Sequence, residues 1–320
     1  MTADQFEIYE DDQLVSVYES QQTILNPEVT ASHYTLLLVD MSGSVSESED
    51  KAQVVEAARL FTEKVETNNR VGIFAFDGEE KLHTIVGFTK LPRHADAHAS
   101  SLASFKSRDN STNLNGAVIA GLKELDTALA AADTPLRVGT LVVFTDGTDR
   151  ASRVDAQTML SAVQDSPHSV FAIGLGAEIS EDDLTQIGKD GTTLATDRNT
   201  IAEAFEAIGT RIEALTRSYY LLSYCSPARA MEHEVRIEAN FSDNNGNTQT
   251  AEEFTGSLST TFSADGFKAG CNPNRAPKFD VSLGDRAGSD EDKTAMRNER
   301  RSSKKRKLSG KAKASVGTPK

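Results

Sequence analysis

The chain has 320 residues, 38% hydrophobic and 26% charged, with 21 glycines and 8 prolines, a composition that excludes fibrous and wholly disordered classes and allows one large domain with smaller additions. Its 34 Lys+Arg against 48 Asp+Glu give a formal charge of -14, which argues against whole-body binding to nucleic acid or an anionic membrane. The charge is unevenly placed: from Lys293 onward there are 11 basic residues and one acidic, a net +10, so residues 1–292 carry -24.

In chain order, Gln5 to Glu10 and Gln13 to Tyr18 alternate apolar and polar positions around Asp11-Asp12, which predicts a short hairpin, and a linker with Pro27 follows. Tyr34 to Val39 is a continuous apolar run of strand length. Further strands are predicted at Val71 to Phe76, Leu82 to Phe88, Val138 to Phe144 and Val170 to Leu175. Helical spacing marks Asp50 to Val65, Leu114 to Ala131, Arg153 to Gln164, Glu181 to Ile187 and Thr200 to Thr216. Short apolar strands alternating with amphipathic helices predict an α/β domain, a doubly wound and mostly parallel sheet with helices on both faces. Beyond Arg217 the alternation stops: Ser218 to Tyr224 is expected to continue that sheet, while His233 to Phe241 and Glu253 to Phe262 are expected to build a small β appendage. The expected division is a β-hairpin segment with linker over 1–32, the α/β domain over 33–225, the appendage over 226–276, and a disordered basic tail over 277–320.

No stretch approaches the roughly 18 apolar residues of a membrane helix. The acidic start, Met1 to Asp12, lacks the pattern of a signal peptide, so an authentic N-terminus implies a cytoplasmic product. Two cysteines, Cys225 and Cys271, exclude an all-thiolate zinc site and a disulfide-dense scaffold but leave room for one bridge. No H-E-x-x-H spacing supports a His-based metal site.

The chemistry concentrates at strand ends. After Tyr34 to Val39 the chain reads Asp40-Met41-Ser42-Gly43-Ser44, a carboxylate and two hydroxyls at the position where open α/β sheets bind ligands. Gly43 lets the loop close without a Cβ in the way; an ordinary helix cap is the alternative reading of these residues. A second apolar strand ends in Thr145-Asp146-Gly147, and a polar loop, Asp109 to Asn113, offers the hydroxyl of Thr112. An all-oxygen set with few charges suits Mg²⁺, with Mn²⁺ or Ca²⁺ as alternatives.

These residues resemble the von Willebrand factor type A domain and its metal-ion-dependent adhesion site. Asp40, Ser42 and Ser44 fit the family's Asp-x-Ser-x-Ser element, Thr112 its middle-loop threonine, and Asp146 its aspartate after the fourth strand; the resemblance covers about His33 to Tyr224. It implies that Ser42, Ser44 and Thr112 supply hydroxyl oxygens to a metal while Asp40 and Asp146 bind it directly or through water. The function so implied is a cation-dependent protein-binding module without catalysis, in which the ion accepts an Asp or Glu carboxylate from a partner. Asp109 and Asn113 are expected to orient the Thr112 loop, and Asp149 to cap the next helix or to act as an outer-shell hydrogen-bond partner. Asp77 and Gly78 read as a turn rather than as ligands. The flanking segments, Asp4 to Glu10 with Gln13 to Val17 and Ser218 to Pro227, resemble bacterial extracytoplasmic members, which implies an extracytoplasmic or cell-surface setting and a Cys225–Cys271 bridge.

Two other readings stay open. One is a scaffolding domain that never engages a partner through its metal. The other is a Mg²⁺-dependent phosphotransferase with Asp40 as nucleophile, which conflicts with Ser42 standing where such enzymes place a second aspartate. Lys304, Lys305, Arg306 and Lys307 form a cluster suited to polyanions or nuclear import, or else a solvated tail.

Overall fold

The structure, a computed structural model, describes residues 5–25, 31–67, 69–89, 100–132, 134, 136–176, 178–217, 221–242 and 253–267. All of these fall in the unit Met1–Pro277. The basic tail with Lys304 to Lys307, and Cys271, lie outside the described residues.

The N-terminal segment forms β1 (Phe6–Glu10), β2 (Gln13–Leu14), the helical turn α1 (Val17–Ser20) and β3 (Thr23–Leu25). The alternating pattern of Gln13 to Tyr18 therefore yields only two strand residues before the backbone turns helical. The principal domain then runs β4 (Ala31–Asp40), α2 (Gly43–Ser46), α3 (Lys51–Val65), β5 (Arg70–Phe76), β6 (His83–Thr89), α4 (Leu114–Ala130) and β7 (Leu136–Thr145). It continues with α5 (Ala156–Asp165), β8 (Ser169–Leu175), α6 (Glu181–Ile187), β9 (Gly191–Ala195) and α7 (Ile201–Arg217). Its six strands lie in the order β6-β5-β4-β7-β8-β9, parallel throughout except that β6 pairs antiparallel with β5.

The unbroken apolar run in β4 follows from this position. Successive side chains point to opposite faces of a strand, and here both faces are covered. Leu37 and Val39 pack with Phe61 of α3 and Phe205 and Ile208 of α7. Leu36 and Leu38 pack with Val118 and Leu125 of α4 and Met159 and Val163 of α5. All ten β4 residues are buried, and each such leucine or valine contributes about 1.5–3 kcal/mol on leaving water.

Two local differences from the sequence have simple causes. Helix α5 starts at Ala156 rather than near Arg153, because the Asp155 side chain caps it by accepting from Thr158 N at 2.9 Å. Strand β9, Gly-Thr-Thr-Leu-Ala, has too few apolar residues to show a pattern; it is an edge strand whose residues are mostly half-buried.

The N-terminal strands meet the segment that follows the principal domain. β11 (Glu232–Ser242) and β12 (Glu253–Ser263) form a four-stranded antiparallel sheet with the N-terminal strands, in the order β12-β11-β1-β2. Segments more than two hundred residues apart thus share one sheet, with a small core of Ile8, Val15 and Val235. β10 (Leu221–Ser223) does not extend the six-stranded sheet; it pairs antiparallel with β3 in a separate two-stranded ladder. Among the described residues no helix is long and apolar enough to cross a membrane.

Candidate metal centre

The order of the six strands places the change of winding direction between β4 and β7, and the crevice at such a point is where this sheet type binds ligands. Asp40 is the last residue of β4, and Asp146 directly follows β7. Asp40 is fully buried. Its Oδ1 accepts from the Ser42 N–H at 3.0 Å and its Oδ2 from the Thr145 hydroxyl at 2.7 Å. Ser42 and Ser44 hydroxyls stand 3.2 Å apart, and the Ser44 hydroxyl reaches the Asp146 carboxylate. The first and third parts of the sequence motif are therefore brought together.

Burial, with the charge of Asp146 added, pushes the Asp40 carboxyl up to about 7. Burial also raises Asp146, with Glu178 adding to the rise while Ser44 and Arg150 oppose it. Asp40 is buried and Asp146 half-buried, and among the described residues neither carboxylate pairs with a cationic side chain at hydrogen-bond distance, so the charge of the site is uncompensated. A divalent cation offsets that charge, and the surrounding donors are hard oxygens, so the residues present fit Mg²⁺ or a similar ion.

The Thr112 loop reaches this centre through backbone bonds. Gly43 N donates to Asn110 O at 3.1 Å, and Thr112 O accepts from Arg150 N at 2.9 Å and Ala151 N at 3.0 Å. A Cβ on Gly43 would lie 2.9 Å from the Asn110 Cβ, so glycine here permits the approach of two loops and not merely a tight turn. Thr112 and Asn113 are buried. Asp109 accepts from Ser111 N at 3.0 Å and faces Arg153 at 3.3 Å, while Asn113 donates to Glu79 O at 2.9 Å. Asp149 accepts from Asn115 N at 2.9 Å in the first turn of α4 and from Ser152 N at 2.8 Å. It caps the helix behind it rather than the next one, which takes its cap from Asp155. A cleft of about 500 Å³ opens alongside, with Leu114, Met159 and Ile187 among its apolar walls and Thr148 and Asp149 at its edge.

The sequence reads Asp77 as part of a turn. This residue follows β5, is fully buried, and does form a turn, accepting from Glu79 N at 2.8 Å. It is also the anchor of the middle loop: Oδ2 accepts from Arg108 N at 2.8 Å, and the Asp77 carbonyl accepts from Asn113 N at 3.0 Å. Burial alone would raise its carboxyl, but the N–H groups of Arg108, Glu79 and Asp109 outweigh it and hold the group below the usual range. The available signal was its place: like Asp40 and Asp146, it ends an apolar strand. Asp77 further groups with Glu79 and His83, one ligand atom of each lying within 4.8 Å of the others. Cys225 is not a free thiol, and its N–H donates to Ser20 O at 2.7 Å.

A doubly wound sheet with an aspartate, two serines and a second aspartate at its switch point defines the class, and comparison with known families agrees. Residues 35–148 match the von Willebrand factor type A domain model. No curated protein matches it in sequence. Similar solved structures include a von Willebrand factor type A protein from Catenulispora acidiphila, 12% identical over 80% of this chain and 72% of that one, with a TM-score of 0.48. Proximal thread matrix protein 1 from the mussel byssus is 14% identical over 56% of this chain, with a TM-score of 0.46; the match spans about half, 47%, of the mussel protein. The von Willebrand factor domain of the type V pilus tip protein Mfa5 from Porphyromonas gingivalis is 10% identical over 60% of this chain and 98% of that one, with a TM-score of 0.45.

Proposed function

We propose that this protein is a divalent-cation-dependent protein-binding module, with Asp40, Ser42, Ser44, Thr112 and Asp146 holding the ion. The observation that supports it most is the pair of carboxylates, buried Asp40 and half-buried Asp146, at the ends of adjacent parallel strands with the Ser42 and Ser44 hydroxyls between them. Mg²⁺ fits the oxygen donors best, and Mn²⁺ or Ca²⁺ are the other candidates. Bound there, the ion supplies a Lewis-acidic position for a carboxylate oxygen from an Asp or Glu of a partner protein. The chain's own groups do the rest: Thr145 and the Ser42 N–H fix the Asp40 carboxylate, and the Arg150 and Ala151 N–H groups fix Thr112. The neighbouring apolar cleft offers a place for a side chain beside that carboxylate.

The -24 charge of residues 1–292 repels an acidic partner at long range, so recognition is local and operates inside the roughly 8 Å screening length of physiological salt. No catalytic step is assigned to the site. The same proposal takes 33–225 as the binding domain and pairs Cys225 with Cys271, a bridge worth about 2–4 kcal/mol. The test is binding of immobilised acidic peptides in Mg²⁺ and in EDTA, with Asp40→Ala as control. Capture that requires Mg²⁺ and Asp40 supports the reading; a protein that binds Mg²⁺ but captures the same peptides equally in EDTA is a scaffold instead.

A further inference from the structure

We propose that Asp77, Glu79 and His83 form a second metal site, specific for a Zn²⁺-class transition ion and independent of the strand-end centre. His83 Nε2 stands 3.4 Å from Asp77 Oδ1 and 3.4 Å from Glu79 Oε2. Oxygen and nitrogen ligands held about 2.0–2.2 Å from a tetrahedral zinc ion lie roughly 3.3–3.6 Å from one another, so both measured spacings match tetrahedral edges. The donor set, one imidazole and two carboxylates, is one that zinc accepts and that Mg²⁺ or Ca²⁺, with their preference for all-oxygen shells, does not favour. Three protein ligands leave a fourth position for water.

The site is built in advance. Asp77 is fully buried, and its Oδ2 is held by Arg108 N at 2.8 Å and Asp109 N at 3.4 Å. Its Oδ1 accepts from Glu79 N at 2.8 Å and faces His83 Nε2 at 3.4 Å, a contact that a bound ion would replace. Hydrogen-bonded carboxylates of this kind orient metal ligands and limit the entropy lost on binding. The His83 ring packs against Phe105 with centroids 5.1 Å apart, which restricts its rotation. Glu79 completes the set from the more open side, where Arg108 Nη1 lies 3.7 Å from its Oε2. That guanidinium is mostly exposed, so an ion displaces it into water at little cost. Turn and strand supply the three ligands from a seven-residue stretch, Asp77 to His83, whose ends are tied by the β5–β6 pairing of Ala75 with His83.

The ion would tighten the turn that holds the Thr112 loop, since Asp77 O accepts from Asn113 N and Glu79 O from the Asn113 side chain. The two sites share no ligand, and this lets them be separated experimentally. Full-length, untagged, chelator-treated protein is titrated with Zn²⁺ by calorimetry and with Co²⁺ by visible absorption, using wild type, His83→Gln, Glu79→Gln and Asp146→Asn. We expect one Zn²⁺ equivalent with a tetrahedral Co²⁺ band, weakened about tenfold or more in both His83→Gln and Glu79→Gln. Asp146→Asn is expected to leave that equivalent intact, and Glu79→Gln, a change at a half-exposed side chain, to retain the wild-type melting temperature. Wild-type Zn²⁺ affinity in both His83→Gln and Glu79→Gln would overturn the assignment, as would a Zn²⁺ equivalent that disappears with Asp146→Asn.

Discussion

The six-stranded sheet and the four-stranded sheet are built from similar residues but are held together differently. The first has cores on both faces, and its central strand β4 is buried along its whole length. The second has three fully packed residues, Ile8, Val15 and Val235, and leaves Leu258 of β12 67% exposed. Near the first sit buried polar groups at the strand ends, where removing water from Asp40 raises its carboxyl to about 7. A large core can sustain that unfavourable burial, because the strands that carry the carboxylates are fixed by packing elsewhere. In the smaller sheet the buried carboxyl is Glu10, which accepts from the Tyr224 hydroxyl, while the pair of His233 with Asp11 lies nearer the surface.

The contrast can be broken most severely at the strand ends. Asp40→Ala and Asp146→Ala should each abolish the Mg²⁺-dependent rise in melting temperature, measured by thermal shift; an unchanged response in both would remove the metal assignment. Next comes the core itself. Leu38→Ala should lower unfolding free energy by about 2–5 kcal/mol in denaturant titrations. Ile8→Ala belongs at the low end of that range, because its partly buried neighbours can close around the gap. Hydrogen exchange should accelerate in β1 and β11 for Ile8→Ala while the Mg²⁺ response stays as in wild type.

Acidity sharpens the same comparison. With its folded-state value raised from 3.8 to about 7, Asp40 makes the metal-free fold bind more protons than the unfolded chain between those values. Its contribution to stability therefore falls as pH rises across that window. Mg²⁺ must displace the proton, so its affinity should climb from pH 6 to 8, by at most about tenfold per unit, and level off above the folded value. Calorimetry at several pH values checks this; a flat profile would mean that Asp40 is ionised without metal. The smallest effect is expected in the other sheet. Protonated His233 donates to Asp11 and to Ala230 O, which raises its pKa, while the same contact lowers that of Asp11. The stabilisation from His233 is present below 6.5 and lost as pH rises through its raised value; that from Asp11 is lost as pH falls below 3.8. His233→Ala should flatten this dependence in the exchange rates of β1 and β11 and leave Mg²⁺ binding untouched.

Much of the principal domain is legible in the sequence because burial on two faces demands uninterrupted apolar strands, as in Leu36 to Val39, and because helices need one apolar stripe. Asp40 and Asp146 are legible for a related reason: a carboxylate directly after such a run has few neutral explanations. Asp77 satisfied the same rule, but the glycine after it made a turn a sufficient account. What could not be read was the pairing of distant segments. Nothing in Phe6 to Glu10 names Val235 to Ala239 as its partner, since register between remote strands depends on a fold that local patterning does not encode. The same applies to Leu221–Ser223, whose apolar character suits either sheet until β3 is seen beside it. His83 with Asp77 and Glu79 is likewise a product of hairpin pairing rather than of a spacing familiar from metal motifs.

The placement of β1 between β2 and β11 has a consequence for synthesis on the ribosome. Phe6 pairs with Ala239, so β1 leaves the exit tunnel without its main neighbour until more than two hundred further residues have been made. The intervening domain can complete its own core in that interval, because every strand of the six-stranded sheet lies between those two positions. Closure of the smaller sheet then follows the formation of that core.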